Sequence, residues 1–303
     1  MVQPLDGIKV LEMTVAIQGP AAGLFLAEMG ADVIKVEPPI GDSNRYHRGN
    51  DYDVPEGALG SQFIAMNRGK RSLPIDVHHP LGHKAIQNLL ADTDVFLSNY
   101  REDALLRMGL DYESVHASHP QLVYATVNGF GLEGPDANKA MLDGVAQARG
   151  GIIAMTGDVG GKPMMSGAPI ADTAGAMQLA LATMTALFAR ERLGVGQRVH
   201  TSALGAQLWL QMWELQHRAI NDAELLPAGQ FHDNMRGPYG LYATSDGGWI
   251  MFAACLVNEA WDALCVFGNQ PELALDPEWA SPGQRLGAHG PTLKEAETVR
   301  EKM

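Results

Sequence analysis

Short apolar runs alternate with helical-period segments over the first 130 residues. Ile8–Met13 and Val33–Glu37 read as strands on either side of a helix, Ala21–Met29, which Gly30 ends; Pro38-Pro39 stops the second strand. The alternation continues with strand Ser72–Val77, helix Pro80–Ala91, strand Val95–Ser98, helix Glu102–Met108 and strand Leu122–Asn128. Such an order predicts an α/β fold with a Rossmann-like, doubly wound parallel sheet. A glycine-rich stretch, Gly129–Gly167, follows and holds a short helix, Asp143–Arg149. Next comes a long helix, Asp172–Leu193, with Met177, Leu181, Met184 and Phe188 on one face and Gly194-Val195-Gly196 ending it. Strand Arg198–Thr201 and a second long helix, Ala203–Ile220, complete this part. From Tyr239 the pattern changes: 239–244 and 249–254 flank Ser245-Asp246-Gly247-Gly248, a hairpin signal, and a helix at Glu259–Phe267 follows. Pro227, Gly229, Gly237 and Pro238 mark a boundary, so the expected domains are a large one, 1–228, and a smaller α+β one, 229–303.

Composition narrows the class. At 46% hydrophobic and 19% charged residues the chain is globular rather than disordered. No apolar run is long enough for a membrane span, and the N-terminus lacks the features of a signal peptide. The expectation is a soluble cytoplasmic protein. The net charge of −13 opposes a nucleic-acid partner, though a local cation cluster can still hold a small anion. Two cysteines, Cys255 and Cys265, are too few for a disulfide framework or a cysteine zinc site.

The first loop, Ala16-Ile17-Gln18-Gly19-Pro20-Ala21-Ala22-Gly23, lacks the three-glycine dinucleotide fingerprint; only Glu37, at the end of the second strand, fits it. NAD is therefore not expected. His79/His83 and His116/His119 have helical spacing but no acidic partner in a metal motif, so no metal is expected either. No G-x-S-x-G elbow occurs.

Asp172 stands at the start of the long helix, where a carboxylate serves as a cap and the helix dipole holds it ionised. An ionised carboxylate is also what a nucleophile toward a thioester must be. Cap and catalyst are not separated by these residues alone.

Pro4-Leu5-Asp6-Gly7-Ile8-Lys9-Val10-Leu11 and Gly30-Ala31-Asp32-Val33-Ile34-Lys35-Val36-Glu37 resemble class III CoA-transferases, the family of formyl-CoA and carnitine CoA-transferases. Asn67–Ser72, Asn99-Tyr100-Arg101, Leu106–Leu110, Gly129-Phe130-Gly131 with Gly134-Pro135, Thr156-Gly157 and Pro169–Gly175 continue the match, which runs from residue 4 to about 265. The resemblance implies that Asp172 attacks an acyl-CoA and that CoA, a co-substrate, passes between two carboxylic acids through a covalent aspartyl intermediate. It implies a CoA site drawing on Val15, Ala16, Lys70, Arg71, Val77, Asn99, Arg101 and Arg107, with Asp143 near the active site. Gln18 lies one position from the family's active-site glutamine. Gly157, Gly160 and Gly161 are candidate backbone donors to a tetrahedral intermediate. Met155, Met164, Met165 and Trp213 suggest an apolar pocket.

Two other readings stay in view. The related α-methylacyl-CoA racemases require a histidine where this chain reads Ala140-Met141-Leu142-Asp143, and Leu142 cannot exchange a proton. Family members also continue past the small domain and return to the first, whereas this chain reaches a charged stretch, Glu295–Met303, where that return begins. A shortened CoA-binding scaffold without activity is the third reading. The resemblance further implies an interlocked homodimer, for which Trp209, Met212, Trp213 and Leu215 are candidate packing residues.

Overall fold

The computed structural model describes residues 3–47, 57–222, 224–232, 234–235, 238–253 and 256–286. Cys255, Gly237 and Glu295–Met303, singled out above, lie outside them. The chain forms two compact units: residues 1–150 with 167–210, and residues 151–166 with 211–303. The sequence places a boundary at 228/229, whereas these units divide at 210/211, and the glycine-rich segment 151–166 joins the second.

In the first unit, β1 (Lys9–Met13), α1 (Gln18–Glu28), β2 (Asp32–Glu37), α2 (Ser61–Asn67), β3 (Arg71–Pro74), α3 (Pro80–Leu90), β4 (Val95–Ser98), α4 (Glu102–Arg107), α5 (Tyr112–Ser118), β5 (Val123–Asn128), α6 (Asp143–Gly150), α7 (Ile170–Leu193), β6 (Arg198–Ser202) and α8 (Ala203–Leu210) follow in order. All six strands are parallel, in the order β3-β2-β1-β4-β5-β6. The order reverses between β1 and β4, which opens a crevice at the carboxyl ends of those two strands.

Strand alternation assigns each side chain to a face. Val10, Val33, Val95, Leu97, Val123, Ala125 and Val127 pack beneath α1 and α7; Leu11, Met13, Val36, Phe96, Leu122 and Tyr124 pack toward α3, α4 and α5. Both faces being covered explains why the central strands read as nearly continuous apolar runs. Helix α7 departs from its expected orientation. Met177, Leu181 and Phe188 are each more than half exposed, and the buried face is Ala171, Asp172, Gly175, Ala176, Leu179, Ala180, Thr183, Ala186 and Leu187. Helix α1 buries Gln18, Pro20 and Leu26 together with four small residues, Gly19, Ala21, Ala22 and Gly23. Glycine and alanine on both faces let the helices approach closely; Leu179, Leu187 and the half-buried Met184 pack into the core, while Met177, Leu181 and Phe188 are left on the outer side of α7.

The second unit contains α9 (Met212–Asn221), the antiparallel hairpin β7 (Gly240–Ala243) with β8 (Trp249–Phe252), α10 (Asn258–Phe267), α11 (Glu272–Leu275) and α12 (Pro282–Leu286). The helix expected over 203–220 is thus two, with non-helical backbone at Gln211 (φ −104°, ψ 19°). Trp261, Leu264, Cys265, Leu273 and Trp279 form its small core, in which the two tryptophan rings stack at 5.7 Å. Among the described residues no helix is long and apolar enough to cross a membrane, and no group of three His, Cys, Asp or Glu side chains could hold a metal ion.

Candidate functional site

A cavity of about 220 Å³ opens at the sheet's switch point. Ala16 and Gln18 line it from the β1–α1 loop, Asn99 and Arg101 from the residues after β4, Asn128 and Gly129 from the end of β5, Lys139, Met141 and Leu142 from the following loop, and Asp172 from α7. Two neighbouring cavities share Pro38 and Tyr100: one, of about 140 Å³, reaches Glu37, Val77 and His78, and the other, of about 380 Å³, reaches Val15, Asp42 and Tyr46. All three sit where α/β sheets of this topology bind ligands.

Asp172 is not the N-cap of α7. Pro169 holds that position, and the helix's free N–H groups are satisfied from another element: Ala171 N and Asp172 N donate to Asp143 Oδ1 at 2.9 and 3.1 Å. Gln147 Nε2 donates to the other oxygen of Asp143 at 2.5 Å. The cap frees the Asp172 carboxylate to face the cavity. It also sets its acidity, contrary to the expected lowering by the helix dipole. Burial first, and the Asp143 charge second, push the Asp172 pKa up to about 6. At neutral pH the carboxylate is still mostly ionised, and it is more basic than a free aspartate.

Gln18 lines the same cavity as Asp172; its side chain is buried, and its Nε2 has no hydrogen-bond partner. A Cβ on Gly175, one turn after Asp172, would stand 2.1 Å from that nitrogen, so any larger residue there displaces the Gln18 amide. A buried donor without an acceptor, facing a cavity with a basic carboxylate, is the arrangement that a developing oxyanion needs. The β1–α1 loop holds this geometry through Asn99, which accepts from Val15 N at 2.9 Å and donates to Val15 O at 2.7 Å, and Ala16 adopts a left-handed φ of 64°.

The remaining candidates divide clearly. Val15, Ala16, Val77, Asn99 and Arg101 line the cavities, and Asp143 supports Asp172 from behind. Lys70 does not present its charge to them: its ammonium is enclosed and bonded to Glu12, Pro20 O and Asn67. Arg71 begins β3 and pairs with Asp32, the first residue of β2, at the opposite end of the sheet. Arg107 is exposed, pairs with Asp103 and lines none of the three cavities. Gly157, Gly160, Gly161, Met155, Met164, Met165 and Trp213 belong to the second unit. Lys139, which sequence reasoning passed over, is a cavity cation paired with Asp136; its irregular loop offers no periodic signal. Glu37, the one dinucleotide-like feature, is occupied. Although burial opposes it, a bidentate Arg45 with Ser72 and Asp42 N holds its pKa down to about 2. Leu142, the apolar residue of the Ala140–Asp143 segment, lines the cavity.

Comparison with known proteins places this geometry. The family model described as CoA-transferase family III matches residues 5–301. A succinate–glutarate CoA-transferase of Agrobacterium fabrum is 35% identical over 80% of this chain and 62% of its own length. A formyl-CoA:oxalate CoA-transferase of Streptomyces avermitilis is 32% identical over 94% of this chain and 72% of its own. The chain therefore spans roughly two thirds of the length of these relatives. A solved CAIB/BAIF family protein from Brucella suis superposes with a TM-score of 0.81 at 32% identity, covering 100% of this chain and 78% of that one. On sequence and fold alike, the chain belongs to CoA-transferase family III.

Proposed function

We propose that this chain carries the catalytic aspartate of an enzyme that moves CoA between short dicarboxylic acids, with Asp172 as the covalent nucleophile. The observation that carries the reading is the cavity in which a basic carboxylate, a partnerless buried amide donor and two cations, Arg101 and Lys139, converge. The relatives named above act on succinate, glutarate and oxalate by their names, and a second carboxylate finds its counter-charge in these cations.

Asp172 Oδ attacks the thioester carbon of the donor, the C–S bond breaks and CoA leaves as a thiolate, giving an aspartyl–acyl anhydride. The Gln18 amide donates to the carbonyl oxygen as it gains charge. The thiolate then attacks the aspartyl carbonyl and expels the first acid as its carboxylate, leaving Asp172 joined to CoA. The acceptor carboxylate displaces the thiolate from that thioester, forming a second anhydride. The thiolate attacks the acceptor's acyl carbon, which releases the new acyl-CoA and restores Asp172. Every step exchanges oxygen and sulfur nucleophiles at a carbonyl, so protons and electrons balance without a further reagent. Val15, Ala16, Asn99 and Arg101 support CoA along the crevice, and Val77 borders its far end. Self-association into a homodimer is part of the reading, supported by the outward apolar face of α7.

The test is isotope exchange. Labelled succinate or oxalate is incubated with an unlabelled acyl-CoA, and incorporation into the CoA pool is followed. Incorporation by the wild type and none by Asp172→Ala, with a CoA adduct on the Asp172 peptide by mass spectrometry, is the expected result. Deuterium entering the acyl α-carbon without CoA exchange would replace this reading with the racemase one.

A further inference from the structure

A cluster of four buried charges lies under the β1–α1 loop and takes no part in the chemistry above. Glu12 and Lys35 face each other in register across β1 and β2, with Lys70 and Asp42 completing the group. The side chains of all four are at most 2% exposed. Both lysines meet Glu12: Lys70 Nζ lies 2.8 Å from Oε2 and donates to Oε1 at 3.0 Å, and Lys35 Nζ reaches the same Oε1 at 3.4 Å. Lys35 also lies 3.1 Å from Asp42.

Each ammonium also holds one backbone carbonyl, and these two contacts are matched. Lys35 Nζ donates to Thr14 O at 2.7 Å, and Lys70 Nζ donates to Pro20 O at 2.7 Å. These carbonyls bracket the loop that brings Val15, Ala16 and Gln18 to the crevice. Thr14 Oγ1 donates to Glu12 at 2.6 Å, and Asn67 accepts the third proton of Lys70 at 3.0 Å. Helix α1 makes room for the carboxylate with Gly23, where a Cβ would stand 1.8 Å from Glu12 Oε2.

Stability alone does not explain such a cluster. Buried ion pairs are commonly matched or exceeded by apolar residues of the same volume. What the four charges supply is a fixed separation between two points of the backbone: neither end of the loop can slide without drawing a lysine off the shared carboxylate. We propose that Glu12, Lys35 and Lys70 are positioning residues that set the β1–α1 loop, and with it Gln18, in the cavity that Asp172 also lines. This assigns Lys70 to the loop rather than to a phosphate of CoA. Its bearing on catalysis rests on the function proposed above; its bearing on the loop does not.

The experiment compares wild type with Lys70→Met, Lys35→Met and the paired variant Glu12→Gln/Lys70→Met. The pair removes one charge of each sign, so it folds even where a single variant leaves a buried charge unbalanced. Amide hydrogen exchange is read on peptides covering 14–22 and on peptides covering β4 and β5, and kinetics are run with acyl-CoA. The expected result is exchange at 14–22 at least about tenfold faster with β4 and β5 unchanged, and kcat lowered at least about tenfold with KM for acyl-CoA within about twofold. Wild-type exchange at 14–22, or acceleration spread equally over β4 and β5, overturns the assignment. So does a rise in KM alone that steepens with salt, since that marks a phosphate contact. Faster local exchange in the variants of a protein whose wild type transfers no CoA would uphold the clamp and sink the proposed function instead.

Discussion

At Asp172 two influences oppose each other. The helix N-terminus favours a charged carboxylate, while burial and the nearby Asp143 favour a neutral one, and the latter prevail at a pKa of about 6. Because the folded-state pKa lies above the unfolded value, this group supports the fold fully below about pH 4, and the support is lost as pH rises through 6. Asp172→Asn should therefore raise unfolding free energy by about 2–3 kcal/mol at pH 8 and by little at pH 4, as measured by denaturant titration at the two pH values. The same ionisation should give wild-type kcat/KM an acid limb near pH 6, falling about tenfold per pH unit below it. Gly175 is the second residue of consequence. Gly175→Ala drives a Cβ into the Gln18 amide, and a displacement of that size should cost about 10²-fold in kcat/KM. A full-rate variant would remove Gln18 from the mechanism.

Among the elements, α7 is the one whose ends and faces matter most. Its first N–H groups are capped by Asp143 from α6, so capping and charge can be separated by substitution. Asp143→Ala should cost about 1–2 kcal/mol of stability. Asp143→Asn should keep most of the cap yet move the acid limb of kcat/KM to lower pH, because the like charge beside Asp172 is gone. Sequence reading recovers the sheet well for a physical reason. Strands covered on both faces carry uninterrupted apolar runs, so Val95–Ser98 is read to the residue. Helices α2 and α5 escape it because each buries a single side chain, Phe63 and Val115 respectively, and so shows no period. Met177, Leu181 and Phe188 mark the outer face of α7 because much of its inner face is glycine and alanine, which hydrophobicity ranks low. In the site, Asp172, Ala16 and Asn99 follow from motif resemblance, and the same resemblance sets Lys70 in the CoA site. Only the spatial meeting of Lys70 with Glu12 and Pro20 corrects that.

For the whole molecule, the outward face of α7 bears on assembly. Met177, Leu181 and Phe188 together form an apolar strip of the kind that monomeric proteins rarely leave open. Leu181→Glu should lower the sedimenting mass at micromolar concentration while leaving the circular dichroism spectrum unchanged, and an unaltered mass would exclude this strip from self-association. The partition of the chain has a different consequence. Residues 151–166 leave the unit that holds Asp172 and join the other, so the polypeptide passes between the two at three separate points. A simple truncation after residue 210 would keep the nucleophile yet strand that excursion without the fold it belongs to. Isolating the Asp172 unit calls for excision of 151–166 and a bridging peptide, and protease cutting at 211 should not by itself release two independent pieces.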